Sequence, residues 1–556
     1  MSLERARESK VPWWTLLAIA FAGAWLRFEQ LSTQIIADDE WHALNFLLEH
    51  PVSAAPWRFG LSDHSIPLTL FDGLLGHTIG LSELGMRSVP FASGVAALVV
   101  LPALVHRHVG AKRCVIFAAL LAISPLHVYF SRYARPYSTV FVLALAALFL
   151  LELFAQRRRP ALAWGAAICT GLAPWFQPVA LPFVLAGPVL FLALDTRLGP
   201  SLGARARLLW PQALAVALIL ALLLGPPVLV DFDTLRERSG RGQVGALDIG
   251  AAWRLLAGSG KDWLAPLIAA MSLVGALALA RSRPLLLRLM AVSLLASIAA
   301  LVTTSPTGVE IPIVAVRYVI PALGIVLLLA ACGLAELDAW LASIAPPRWP
   351  RHLPSSAACA ALLAFGPLLC LHDRPAAIFR TPNDWMHHGY FQYQYDPTER
   401  ARWMDDTIRP PRLSRFYQKL AREVKSSPSA RLHLVEAPWS LQWDGSPFVV
   451  YQAIHGARTS IGFVHRRGEA RPWGELPWDD SRFEFANFVH IADVDELRRR
   501  GVTHVVLHKD LAHELPSDPA RIGADIGPLV IELQAKLGPP CHEDEILVAF
   551  DLRPTS

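Results

Sequence analysis

The sequence predicts a polytopic α-helical membrane protein of about 11 transmembrane helices, followed by a small α/β domain. Three observations predict it. Hydrophobic residues make up 53% of the 556 and charged residues only 17%, against roughly a quarter charged in soluble domains. The apolar residues come in runs long enough to cross a ~30 Å hydrocarbon layer as helices. Beyond Leu371 the hydropathy falls and helix and strand signals alternate. Residues 1–372 are therefore expected to form the membrane domain, with an outer loop at 31–87, and residues 373–556 a separate α/β domain.

The first apolar run is Trp13 to Phe28, preceded by Arg5, Arg7 and Lys10. This looks like a signal peptide, but further spans follow, so it reads as a retained first helix. Further runs start near Val89, Val115, Ser138, Ala161, Val179, Leu208, Trp263, Leu289, Val319 and Ser356. The stretch 161–195 reads as two short spans with a turn at Trp175-Phe176-Gln177-Pro178. One run, Ile66 to Leu81, is ambiguous, and the basic residues decide it. Arg107/Lys112/Arg113, Arg157-Arg158-Arg159, Arg197/Arg205/Arg207, Arg281/Arg283/Arg288 and Arg348/Arg351 occupy alternate connections. They share one side with the N-terminus only if 66–81 is a surface or re-entrant helix. The N-terminus is then cytoplasmic and the C-terminal domain extracytoplasmic.

In the C-terminal domain, residues 413–424 read as a helix. Leu432 to Val435, Thr503 to Leu507 and Ile546 to Phe550 read as strands. The six cysteines lack the pattern of a disulfide framework, and most lie in apolar spans. The net charge of +5 is explained by basic residues in short loops that set topology, so no nucleic-acid partner is called for.

On this topology the outer face collects the residues capable of chemistry. The cluster Asp38-Asp39-Glu40 follows the first span, and Glu40 to His50 reads as an amphipathic helix with Leu44, Leu47 and Leu48 on one face. A helix N-terminus favours ionised carboxylates. An ionised Asp at a membrane surface suits general-base attack by an acceptor hydroxyl, and simple helix capping is the alternative. Arg27, Arg87, Arg132, Arg135 and Arg317 all lie near outer span ends. Guanidinium groups bind phosphate oxygens bidentately and stay charged, so convergent arginines can hold a lipid phosphate and stabilise it as a leaving group. Interfacial snorkelling is the alternative for each. His64 can contact phosphate or metal, or serve as an interfacial polar residue. The segment Trp385 to Tyr395 can stack on sugar or form part of an aromatic belt. No zinc spacing, phosphate loop, dinucleotide fingerprint or nucleophile elbow occurs in the chain.

These motifs together carry a resemblance. Asp39-Glu40 after the first span, His64-Ser65-Ile66-Pro67-Leu68, Glu83 to Pro90, Ser124 to Tyr129, Arg135-Pro136-Tyr137-Ser138 and Arg317 to Pro321 resemble the polyprenyl-phosphate-sugar-dependent glycosyltransferases of GT-C fold. These include the protein O-mannosyltransferase and aminoarabinose transferase group. The usual His-Pro-Pro-Leu of that family reads His-Ser-Ile-Pro-Leu here. The resemblance covers residues 10 to 340 and leaves the C-terminal domain outside.

The resemblance implies an inverting transferase of the bacterial cytoplasmic membrane. It takes a sugar from a polyprenyl-phosphate donor on the outer face and gives it to a lipid, glycan or protein hydroxyl. Asp39 is implied as the base, with Glu40 orienting the acceptor or supporting Asp39. Arg27, His64, Arg87, Arg135, Tyr137 and Arg317 are implied in phosphate or substrate binding. A divalent cation is compatible with this chemistry but not indicated, because arginines can neutralise the phosphate. The alternatives are a transporter or flippase of lipid-linked sugars, whose polar site belongs near the bilayer midplane, and a non-catalytic assembly subunit.

Overall fold

The computed structural model describes residues 13–28, 31, 40, 42–59, 65–195, 200–233, 236, 240–258, 263–344, 352–365, 414–426, 432–437, 455–459, 494–499, 501–509 and 526–553. The first helices are α1 (Trp13–Phe28), α2 (His42–Glu49), α3 (Ile66–Thr78), α4 (Glu83–Val109), α5 (Ala111–Ile123), α6 (Pro125–Ser131), α7 (Tyr137–Arg157) and α8 (Pro160–Phe176). They are followed by Leu181–Leu194, Leu202–Leu223, Gly225–Val230, Ile249–Ala257, Leu264–Ser282, Pro284–Thr304, Pro312–Tyr318, Pro321–Ile344 and Leu353–Phe365.

Each of the apolar runs read from the sequence falls on one of these helices. Six of the helices are long and apolar enough to cross a membrane: α4, α7, Leu202–Leu223, Leu264–Ser282, Pro284–Thr304 and Pro321–Ile344. The pair α5 and α6 meets the same test as one span bent by 59°. The helix α3, over the ambiguous run, has 13 residues, about 20 Å at 1.5 Å per residue, which is short of the hydrocarbon thickness. The turn expected near Trp175 is present: α8 ends at Phe176, Gln177 is extended, and Pro178 opens the next element.

Burial ranks the helices. The apolar window of α7 is 83% buried and that of Pro321–Ile344 78%, whereas that of Leu202–Leu223 is 6% buried. The first two form the centre of the bundle and the third its rim. A central helix surrounded by other helices is mostly apolar on every side, and the buried Glu152 of α7 is paired with His108. Lipid tails are as apolar as leucine, so close packing has to supply the attraction between spans. Glycine provides it where Leu264–Ser282 meets Pro321–Ile344. A Cβ on Gly275 would lie 1.8 Å from the Leu329 carbonyl oxygen, and one on Gly333 2.0 Å from that of Met271. The two backbones touch only because both positions lack a side chain. Near the basic connections, Lys112 pairs with Asp338 at 3.2 Å and Arg113 with Glu336. These contacts tie the start of α5 to the end of Pro321–Ile344.

The described C-terminal residues form a five-stranded mixed sheet of β1 (His433–Ala437), β2 (Arg458–Thr459), β3 (His504–His508), β4 (His542–Glu543) and β5 (Leu547–Asp551), in the order β2-β1-β3-β5-β4. The pairs β1–β2 and β1–β3 are parallel, and β3–β5 and β5–β4 antiparallel. The expected helix is present as Arg415–Ser426, and the three expected strands are β1, β3 and β5. All five residues of β3 are buried, as suits a central strand covered on both faces.

Candidate active site

The site is built at a break. Pro125 has no amide hydrogen and biases Ser124 toward extended backbone, and Ser124 sits at φ −60°, ψ 115°. The chain therefore turns between α5 and α6 instead of continuing as one rod. Ser124 then caps α6, its hydroxyl accepting from the His127 amide. α6 leads into the turn 132–136, and Pro136 opens α7. This places Arg132, Ala134, Arg135 and Tyr137 on one short stretch.

Arg27 and Arg132 lash this stretch to α1. Arg27 is fully buried. Its guanidinium donates to the carbonyls of Gly23 (2.6 Å), Ala122 (3.0 Å) and Leu121 (3.1 Å). It also donates to Nδ1 of His127 at 2.6 Å. Arginine can only donate, so Nδ1 accepts and the neutral ring carries its hydrogen on Nε2. Arg132 donates to the carbonyls of Leu26 (3.2 Å) and Arg27 (3.0 Å). Carbonyls at the C-terminal ends of α1 and α5 carry partial negative charge, and the two arginines donate to several of them.

Glu40 and Arg87 form the next layer. Arg87 donates from Nε to Oε1 of Glu40 at 2.8 Å and from Nη2 to Oε2 at 2.7 Å. Glu40 is 0% exposed and Arg87 1%. Arg87 also donates to the carbonyl of Leu31 at 3.2 Å. Oε1 of Glu40 accepts a second hydrogen bond from the Ala134 amide at 2.6 Å. Both oxygens of Glu40 are thus committed to protein groups. Glu40 also lies outside the helix expected at 40–50, because α2 begins at His42.

The third layer carries cations. Tyr137 is buried, and the guanidinium carbons of Arg135 and Arg317 each lie 5.8 Å from its ring centroid. Arg317 also lies 5.5 Å from the Tyr318 ring. Tyr137 stacks with Tyr133 at 6.4 Å, which stacks with Tyr129 at 5.1 Å. An aromatic column thus supports two positive charges from segments far apart in sequence. Guanidinium groups can bind an anion with several oxygens.

The structure brings the sequence-expected residues into two groups. Glu40 joins Arg87, and Arg135 and Arg317 join Tyr137. Arg27 stands apart, at the ends of α1 and α5. Asp38, Asp39, His64 and the segment 385–395 lie outside the described residues. Among the described residues, no group of three His, Cys, Asp or Glu side chains is placed to hold a metal ion.

Two buried groups were not expected. His127 presents an Nε2 with no hydrogen-bond partner among the described residues. Asp72 on α3 is 2% exposed, and its Oδ1 has no hydrogen-bond partner among them. Burial, and then the Glu40 charge, push its carboxyl well above the usual carboxylate range. The signal for Asp72 was in the sequence, as the one charged residue of an otherwise apolar helix.

These elements define a multi-pass helical membrane protein with a charged, aromatic-lined site at a helix break and a small mixed sheet toward its C-terminus. No protein-family model matches the chain, and no curated protein matches it. Solved structures do resemble it. The apo crystal structure of ArnT from Cupriavidus metallidurans is similar at 14% identity and a TM-score of 0.47, over 97% of this chain and 97% of that one. The Archaeoglobus fulgidus oligosaccharyltransferase crystallised with zinc and sulfate is similar at 14% identity and 0.38, over 89% of this chain and 68% of that one. A mutant of the arabinofuranosyltransferase AftD from Mycobacteria is similar at 17% identity and 0.39, over 97% of this chain and 41% of that one.

Proposed function

We propose that this chain is an inverting membrane glycosyltransferase of the bacterial cytoplasmic membrane. It moves a sugar from a polyprenyl-phosphate donor to an acceptor hydroxyl on the outer face. One observation carries the reading: Arg135 and Arg317 share the ring of Tyr137, beside a turn bonded to Glu40, the neighbour of Asp39. A phosphate receptor next to a carboxylate base is what sugar transfer from a phosphate needs. Asp39 takes the hydroxyl proton. The acceptor oxygen bonds to the anomeric carbon from the face opposite the phosphate. The carbon–oxygen bond to phosphate breaks, and its electrons remain on the phosphate oxygen, opposite the two guanidinium groups.

The committed hydrogen bonds of Arg27 and Arg87 support a framing role for them, with phosphate contact falling to Arg135 and Arg317. Residues 1–372 act as the transferase domain and 373–556 as an extracytoplasmic domain, a sidedness supported by the basic connections.

The test is binding of undecaprenyl phosphate to purified protein. Arg135→Gln and Arg317→Gln should each weaken it by roughly ten-fold or more, about the worth of one charge-assisted contact. Equal affinity in wild type and the double variant would remove the phosphate site.

A further inference from the structure

His127 is a buried polar side chain that the proposed reaction does not use. It lies in α6, a helix of seven residues, just under two turns at ~3.6 residues per turn. A helix so short has little stability of its own, so its contacts decide where it sits. Near its start, Nδ1 of His127 accepts from the Arg27 guanidinium of α1 at 2.6 Å. One turn on, Ser131 shares a face with His127, and its hydroxyl donates to the His127 carbonyl. There α6 meets α4 at Gly94, where a Cβ would lie 2.2 Å from the Ser131 Oγ. Just past the end of α6, Arg132 donates to the α1 carbonyls of Leu26 and Arg27.

Other residues of α6 reach the cation pair. Phe130 lies 4.7 Å from the Tyr137 ring, and Tyr129 stacks at 5.1 Å on Tyr133, which stacks at 6.4 Å on Tyr137. Arg135 and Arg317 both lie over that Tyr137 ring. An unbroken run of contacts thus joins His127 to the two guanidinium groups. His127 is 1% exposed, and its ring lies 4.7 Å from that of Phe141. With Nδ1 accepting, its hydrogen is on Nε2, which has no hydrogen-bond partner among the described residues. A buried donor left unpaired costs free energy, and each such group calls for an explanation. An apolar side chain would fill the space without that cost, so packing does not account for His127. The acceptor at Nδ1 does, because no apolar side chain offers one. We propose that His127 is a positioning residue of the phosphate site: through the bond from Arg27 it seats α6, and α6 in turn sets the Tyr137 ring against which Arg135 and Arg317 lie. The inference rests on the donor reading above, and it adds a residue to it.

The experiment measures undecaprenyl phosphate affinity and thermal unfolding temperature of the purified full-length protein. His127→Leu removes the acceptor and keeps an apolar side chain. His127→Asn carries an oxygen on Cγ, where histidine carries Nδ1, so it keeps an acceptor toward Arg27. Both variants lose the ring against Phe141, and affinity should separate them. It should weaken by roughly ten-fold or more in His127→Leu, about the worth of one charge-assisted contact, and His127→Asn should recover most of that loss. A residue that only stabilises the fold would lower the unfolding temperature in both variants and leave the affinity of the folded protein unmoved. Wild-type affinity in His127→Leu, or an equal loss in both variants, overturns the inference and leaves the donor reading intact. If His127→Leu does not fold, His127→Asn decides alone: affinity near that of wild type upholds the inference, and a loss as large as that expected for leucine overturns it. No binding by wild type overturns the donor reading, and this inference with it.

Discussion

Arg87 grips Glu40 through two hydrogen bonds, 2.8 and 2.7 Å long, with both side chains removed from solvent. The two residues are 47 positions apart, and the pair fixes Glu40 to α4. Two charges out of water are tolerated because each satisfies the other, and the pair need not be more stable than an apolar replacement. Removing one partner leaves the other charged and buried. Arg87→Ala and Glu40→Ala should each cost roughly 3–5 kcal/mol, read as a large drop in thermal unfolding temperature in detergent. The double replacement Glu40→Leu with Arg87→Met should recover much of the loss. Additive damage in the double variant would mean that the pair is not the source.

The glycine contact between Leu264–Ser282 and Pro321–Ile344 makes a second prediction. A methyl group at Gly333 or Gly275 meets a backbone carbonyl, which cannot swing aside as a flexible side chain would. Gly333→Ala should therefore cost at least the ~1–3 kcal/mol typical of overpacking. The loss should appear as a lower yield of monodisperse protein. Gly245, which has no atom within 4 Å of its virtual Cβ, should accept alanine without loss.

Acid should loosen the C-terminal sheet through His504. This residue of β3 is buried, and burial holds its pKa at about 4. In the unfolded chain it titrates near ~6.5. Its contribution to stability is complete above ~6.5 and is lost as pH falls toward 4, because only the unfolded state gains the proton. The loss is at most about 3 kcal/mol. Hydrogen exchange of residues 504–508 in the intact protein, corrected for intrinsic rates, should accelerate over that window. His504→Gln should remove the acceleration, and an unchanged pH profile in that variant would assign the effect elsewhere.

Topology is tested by labelling. Cysteines introduced at positions 160 and 395 should react with membrane-impermeant reagents from opposite sides, 395 from outside. A reporter fused after Asp373 should be active only when exported. Labelling from one side would contradict the charge-based model.

Much of this protein was legible in its sequence, for identifiable reasons. Apolar runs locate helices because a hydrocarbon environment allows few other structures. The strands β1, β3 and β5 were legible because their β-branched and aromatic residues form short runs between polar stretches. The loop acids and the arginines around the turn stood out because charge is scarce in this chain. What could not be read was partnership. Nothing local distinguishes Arg87, which is used by Glu40, from Arg317, which lies over Tyr137. That difference arises from contacts between segments distant in sequence, such as Arg317 and Tyr137. Asp72, a single acid in an apolar helix, forms no motif, and its meaning depends on its neighbours.

Sugar transfer with Asp39 as the base is read from the release of the lipid carrier. Release of polyprenyl phosphate from a polyprenyl-phosphate sugar is followed in membranes holding equal amounts of wild type, Asp39→Asn and Asp38→Asn. Asparagine keeps the size and hydrogen bonding of aspartate, so folding should survive in both variants. Wild type should show acceptor-dependent release, Asp39→Asn a fall of roughly 10²–10⁴-fold, and Asp38→Asn a milder effect. Near-normal release by both variants would contradict it.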